Sequence, residues 1–374
     1  MEKPSKKEQT YYENIIKKGY SRRDFLKFAT YMTAFMGLDY SAMGQVVKAM
    51  ETKKRVPVIW EHLQECTGCS ESFIRSDHPL VADVILDNIS LDYTDTLMAA
   101  AGHNAEEAKQ ASMKENYGNY ILVVEGAIPT KDDGVYCAIA GRTAVEILKE
   151  SAAGAAAIIT FGSCSAWGGI QAAHPNPTGS VPVDAIIKDK PIIKVPGCPP
   201  ISEVMTGVVL HYVVFGTLPE LDSMGRPKQF YGKRVHDSCY RRPNFDAGLF
   251  AESFDSDEAK KGYCLYKLGC RGPVTYNSCG ITGWNNGVSF PIKSGYPCIG
   301  CSENNFWDNG PFTERVENVP GFGIEGMADD IGKIVVGAAV GGAVVHAVAT
   351  NFAKRKEIRT SECFGEENER NIKE

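Results

Sequence analysis

The sequence predicts an α/β protein: a doubly wound parallel sheet, then an irregular cysteine-bearing domain, then one apolar helix. Three observations lead there. Short apolar runs alternate with helical stretches through the first half. Gly, Pro, Asn and Cys break the second half into short segments. Residues 331–353 carry a single charge, Lys333, and are long enough as a helix to cross a bilayer.

The first element is the sheet. Residues 56–60, 120–124, 155–161 and 191–195 are short apolar runs, each followed by a turn rich in Gly, Pro or Cys. Helical length and periodicity follow at 141–150 and 201–214. Strands that alternate with helices close right-handed crossovers into a parallel sheet, so residues 55–215 are expected to form a flavodoxin-like domain. From 216 to 320, no sustained period remains and a large core of its own is not available. Bound metal would organise the backbone there. No internal repeat or low-complexity tract interrupts either part.

A chain of 374 residues exceeds one ordinary core, which leaves room for accessory ends. Near the N-terminus, Ser21-Arg22-Arg23-Asp24-Phe25-Leu26-Lys27 precedes a weakly apolar stretch from Phe28 to about Gly44, the order of an export signal. It matches the twin-arginine signal, so residues 1–50 are expected to be a signal region, with cleavage between Ala42 and Met50. The other reading is an exposed basic turn before a short amphipathic helix.

At the far end, the stretch from Lys333 to Lys354 spans about 31 Å as a helix, close to the ~30 Å hydrocarbon core. The basic cluster Lys354-Arg355-Lys356 would hold residues 354–374 in the cytoplasm and the body outside. Gly337 and Gly341 suit close packing on another membrane helix. A buried Gly/Ala-rich core helix is the competing reading. The net charge of −6 offers no basic surface for nucleic acid.

Twelve cysteines point to metal. Cys66 and Cys69 follow the first apolar run, Cys164 the third and Cys198 the fourth. All would lie at the carboxyl edge of a parallel sheet, where open α/β sheets bind ligands. Four thiolates can hold a [4Fe–4S] cluster, and Gly68, Gly162 and Gly197 would let the backbone approach it. A structural zinc site usually draws ligands as two short-range pairs. A redox dithiol leaves Cys164 and Cys198 unexplained.

His236, Cys239, Cys264 and Cys270 make one imidazole and three thiolates, a set whose neutral histidine should raise a cluster's potential. Cys279, Cys298 and Cys301 make three thiolates, with Pro291 in the loop between them. Three cysteines imply [3Fe–4S], or a [4Fe–4S] cluster completed by another ligand.

Glu65-Cys66-Thr-Gly-Cys69-Ser-Glu71, Glu125-Gly-Ala-Ile-Pro129, Gly162-Ser-Cys-Ser-Ala-Trp-Gly-Gly169, Pro196-Gly-Cys-Pro-Pro200 and Pro297-Cys-Ile-Gly-Cys-Ser302 together resemble the small subunit of membrane-bound [NiFe] hydrogenases. The resemblance runs from the twin-arginine segment to the apolar tail. It implies an electron wire: a proximal [4Fe–4S] cluster on Cys66, Cys69, Cys164 and Cys198, a medial [3Fe–4S] cluster on Cys279, Cys298 and Cys301, and a distal [4Fe–4S] cluster on His236, Cys239, Cys264 and Cys270.

It further implies an obligate large subunit that holds the nickel–iron centre, so no catalytic residue lies in this chain, although Glu65 is a candidate for proton transfer. A membrane cytochrome b or other quinone-reducing subunit would take the electrons. Gly68 and Gly169 stand where oxygen-tolerant members carry cysteine, implying a standard enzyme. Cys137 reads as an apolar thiol, Cys363 as part of the charged tail, and His346 as a possible contact for a haem or quinone site.

Two other classes compete. An iron–sulfur subunit of the complex I type resembles the first domain, but residues 218–310 argue against it. A zinc-binding interaction module would be colourless. A phosphate loop is excluded, because 326–333 has the wrong spacing and no Ser or Thr after Lys333.

Overall fold

The computed structural model describes residues 10–17, 19–36, 38–52, 55–77, 81, 84–314 and 328–370. Its frame is a five-stranded sheet of β1 (Val56–His62), β2 (Ile89–Thr94), β3 (Tyr120–Glu125), β4 (Ala155–Phe161) and β5 (Ile192–Val195). The spatial order is β2-β1-β3-β4-β5, with every pairing parallel. That is the 2-1-3-4-5 order of flavodoxin-like sheets. Every residue of β3 is buried, as expected of a central strand covered on both faces.

Four strands fall where the apolar runs placed them. β2 escaped the sequence reading, together with the helix His103–Glu115 that follows it. It is an edge strand, and Ile-Ser-Leu-Asp-Tyr-Thr alternates apolar with polar. Its Asp92 accepts from the hydroxyls of Ser90 and Ser112 instead of entering the core.

The helix expected at 141–150 is displaced to Ala144–Ala153. Gly141, at φ +78°, turns a short hairpin first, and Thr143 then caps the helix in a reciprocal bond with Glu146. The helix expected at 201–214 is Ser202–Phe215, ended by Gly216 in the left-handed region.

The N-terminal segment packs on this frame. Ser21 and Asp24 form a capping box at the start of the helix Arg22–Phe35, leaving Arg22 and Arg23 exposed. Phe25, Ala29, Met32 and Met36 recur at helical spacing and are buried. They join one core with Val46, Met50, Val204 and Val208.

Beyond 216 the chain runs through helices of four or five residues, 3-10 turns and isolated bridges such as Phe250 with Cys264. Val235, Leu265, Leu268, Phe290 and Ile292 join the core of the sheet domain, while Phe250, Cys264 and Tyr266 form a separate small cluster. The expected end of this domain, 315–320, lies outside the described residues.

The last element is a helix over Ala328–Arg370. Its apolar span, Ile334–Arg355, is exposed throughout and long enough to cross a membrane. The helix continues past the basic cluster Lys354-Arg355-Lys356. The side chain of Cys363 lies outside the described residues.

Candidate iron–sulfur centres

Strand register brings His62 beside Glu125, Glu125 beside Phe161, and Phe161 beside Val195. The loops that leave three of these strand ends carry the thiols, Cys66 and Cys69 after β1, Cys164 after β4 and Cys198 after β5, while β3 between them contributes Glu125. Thr67 adopts φ +63° and the chain then turns into the short helix Gly68–Phe73. Glu125 anchors that turn, accepting from the Cys69 amide at 2.9 Å, the Ser70 amide at 3.1 Å and the Ser70 hydroxyl at 2.7 Å.

Gly162 lies at φ +92°, and a Cβ there would meet Cys69 Sγ at 2.5 Å. A Cβ at Gly169 would meet Cys164 Sγ at 2.5 Å, and one at Gly68 would lie 3.2 Å from Cys66 Sγ. Both glycines therefore border the thiols, and a cysteine at either position would bring an extra sulfur to the site. Cys66 and Cys198 are exposed while Cys69 is buried, so this site opens at the surface.

Burial is the main force on the thiols. It pushes Cys69 well above its ordinary value, helped by Glu125, Cys164, Cys198 and Cys66, and lifts Cys164 to about 12. Four anionic sulfurs would repel one another here. Cationic iron offsets that repulsion, and the donor set and the glycine cradle both fit an iron–sulfur cluster.

The second set surrounds a cavity of about 120 Å³ whose walls include Cys279, Cys298, Cys301, Trp284, Phe290 and Pro291. Pro291 thus stands on the wall of the site, and it offers no ligand atom. Burial, then Cys298, pushes Cys301 up to about 12.

The third set contains buried Cys264 and Cys270 with half-buried Cys239 and His236. A Cβ at Gly272 would lie 3.4 Å from Cys270 Sγ and 3.7 Å from the His236 amide, so the two ligand loops meet there. The imidazole stands edge-on to Phe245 with centroids 4.5 Å apart, and Phe250 and Tyr266 pack behind it. Burial, then Arg242, lowers the His236 pKa and favours the neutral form that ligates metal.

The second set adjoins both of the others. Cys301 is close enough to Cys198 to feel its charge, and Cys270 is close enough to Cys298. Ser163 ties the first to the second: its amide donates to Gly197 O at 2.8 Å and its hydroxyl donates to Cys301 O. Trp167 Nε1 donates to Ser302 O at 3.1 Å.

Glu65, half-buried, lies beside the first set in a group with the buried His62 and Glu125. His62 Nδ1 is 3.7 Å from Glu65 and 3.6 Å from Glu125. His62 had no role in the sequence reading, and Glu125 appeared only as part of a motif. Cys137 is half-buried and belongs to none of the three sets.

Sulfur-bearing loops at the edge of a flavodoxin-like sheet, continued by a second cysteine domain, define an iron–sulfur electron carrier. Residues 231–313 match the family model for the C-terminal domain of NiFe/NiFeSe hydrogenase small subunits. Residues 66–212 match that for the 20 kDa subunit of NADH ubiquinone oxidoreductase. The first domain is therefore shared with the complex I type, and the second separates them.

The chain is 55% identical to the uptake hydrogenase small subunit of Azotobacter vinelandii over 342 residues, 91% of this chain and 96% of that one. It is 55% identical to that of Cupriavidus necator, over 96% of this chain and 99% of that one. Among solved structures, the NiFeSe hydrogenase of Desulfomicrobium baculatum aligns with a TM-score of 0.66 at 38% identity, over 70% of this chain and 100% of that one.

The chain belongs to the [NiFe]-hydrogenase small subunit family. It pairs with a large subunit that holds the nickel–iron catalytic site, and its own part is to conduct electrons.

Proposed function

We propose that the electrons released from H2 at the large subunit cross this chain from the exposed thiolate set to the histidine-bearing set. The linear order of the three sets carries the reading. Cys66, Cys69, Cys164 and Cys198 hold the proximal [4Fe–4S] cluster, facing the large subunit. Cys279, Cys298 and Cys301 hold the medial [3Fe–4S] cluster. His236, Cys239, Cys264 and Cys270 hold the distal [4Fe–4S] cluster. When bound, the clusters supply one-electron redox states. The protein separates them, buries them and fixes their order.

The same reading divides the chain into a signal region (1–50), a proximal-cluster domain (55–215), a medial- and distal-cluster domain (216–320), a membrane helix (331–353) and a cytoplasmic tail (354–374). The body would stand on the periplasmic face after twin-arginine export. A cytochrome b or other quinone-reducing subunit would accept the electrons. With glycine at 68 and 169, the proximal cluster is of the standard, oxygen-sensitive kind.

Metal analysis and EPR of the purified heterodimer test the reading. On this plan it contains about eleven irons per small subunit and shows a [3Fe–4S] signal; zinc without iron would sink it. Pro291→Cys should convert the medial cluster to [4Fe–4S] and abolish that signal. Replacing Arg22 and Arg23 by Lys should leave the protein in the cytoplasm, and truncation after Ile331 should release an active complex from membranes.

A further inference from the structure

Arg271 occupies the junction between the medial and distal sets. It follows Cys270 directly, and its amide donates to Cys298 O at 2.7 Å. Its guanidinium then reaches five carbonyls. Nη1 donates to Ile299 O at 3.3 Å and Phe306 O at 2.7 Å. Nη2 donates to Asn309 O at 2.8 Å, Gly310 O at 2.8 Å and Pro311 O at 3.2 Å. Gly300 lies against the stem, since a Cβ there would be 3.4 Å from Arg271 Cδ.

These partners lie along residues 299–311, the segment that contains Cys301. Residues 270–275 and 284–311 have no strand ladder to hold them together, apart from the single bridge of Trp284 with Ser289. All five acceptors are neutral; Cys298 of the medial set and Glu314 are the acidic groups near enough to act on the guanidinium, which therefore holds its positive charge beside the medial set. A fixed cation there favours the electron-rich state of its neighbours. Lysine has the charge but presents one nitrogen, and it cannot span five carbonyls.

We propose that Arg271 is a positioning residue for the medial-to-distal electron step: its fork holds the 299–311 segment in register with the Cys270 turn, and its charge raises the potential of the medial site. The proposal rests on the three-cluster reading above.

The test uses the heterodimer with Arg271→Gln and Arg271→Lys. Iron content, the midpoint of the medial [3Fe–4S] signal, dye-linked H2 oxidation and D2/H+ exchange are measured together. Exchange needs only the large-subunit site and reports that it is intact. Arg271→Gln at full iron should show normal exchange, dye reduction slowed severalfold and a lower medial midpoint. Arg271→Lys should keep the wild-type midpoint and recover only part of the turnover.

An unchanged midpoint or unchanged dye reduction in iron-replete Arg271→Gln overturns the proposal. If Arg271→Gln loses iron, Arg271→Lys decides: slowed dye reduction at the wild-type midpoint supports the proposal, and wild-type turnover overturns it. Absence of the [3Fe–4S] signal from the wild-type heterodimer would remove the three-cluster reading, and this proposal with it.

Discussion

The two cysteine-bearing domains hold their thiols by different means. In the first, parallel strands aim every ligand loop, and the sheet carries the core that residues such as Val235, Leu265 and Ile292 of the second join. In the second, turns of three to five residues are tied by individual side chains: Arg226 to Asp222 and Glu303, Arg271 to five carbonyls, and Ser302 Oγ to Tyr276 O at 2.9 Å. A backbone ladder stands without metal. A domain of turns has little else to set against its conformational entropy.

Removing iron should separate the domains most sharply. Chelation under reducing conditions is expected to open 216–314 to protease while 55–215 keeps its strands, with cleavage sites mapped by mass spectrometry. Equal opening of both would erase the distinction.

The next largest effect concerns buried charge. Lys109, fully buried, pairs with Glu61 at 3.3 Å and Glu106 at 3.1 Å. Lys109→Met leaves Glu61 uncompensated in the sheet core and should cost about 3–5 kcal/mol in denaturant unfolding. Arg226→Met should cost less, about 2 kcal/mol, because Asp222 and Glu303 keep 19% and 20% of their side-chain surface in water.

Burial, opposed by Lys109, raises the Glu61 pKa above 4.5. A raised carboxyl takes up a proton on folding, so its penalty is absent below its unfolded pKa and grows as pH rises through the folded value. Lys109→Met should extend that loss to higher pH, and urea midpoints measured from pH 4.5 upward would record it.

Gly162→Ala is local to the first domain. The positive φ and the Cys69 Sγ contact should together cost about 1–3 kcal/mol and deplete proximal iron while the medial EPR signal remains. Loss of both signals would mean that the two domains share one assembly step. The smallest effect is Thr143→Ala, which removes a helix cap far from any thiol; about 1 kcal/mol of stability with unchanged iron is expected.

Legibility followed the same division. Four of five strands and the carboxyl-edge position of Cys66, Cys69, Cys164 and Cys198 were readable, because apolar period and turn chemistry are local properties. β2 was not, since an edge strand has one neighbour and its polar residues mimic a loop. In the second domain, the candidate donors were legible from residue type and company. What clamps the loops was not: the partners of Arg271 are carbonyls 28 to 40 residues away, and carbonyls leave no mark in a sequence.

Residue order alone therefore specifies the candidate donors, the parallel sheet that aims the first four of them, and the long apolar helix, because each is written in nearest-neighbour pattern. Which sets adjoin which, that Glu125 anchors the Cys66–Cys69 turn, that Phe25 and Met32 are buried against the body, and that Arg271 lies between two thiolate sets all depend on chain segments that meet across long loops. Such contacts form only when burial and hydrogen bonding of the whole chain outweigh loop-closure entropy, so the folded molecule is where they first exist.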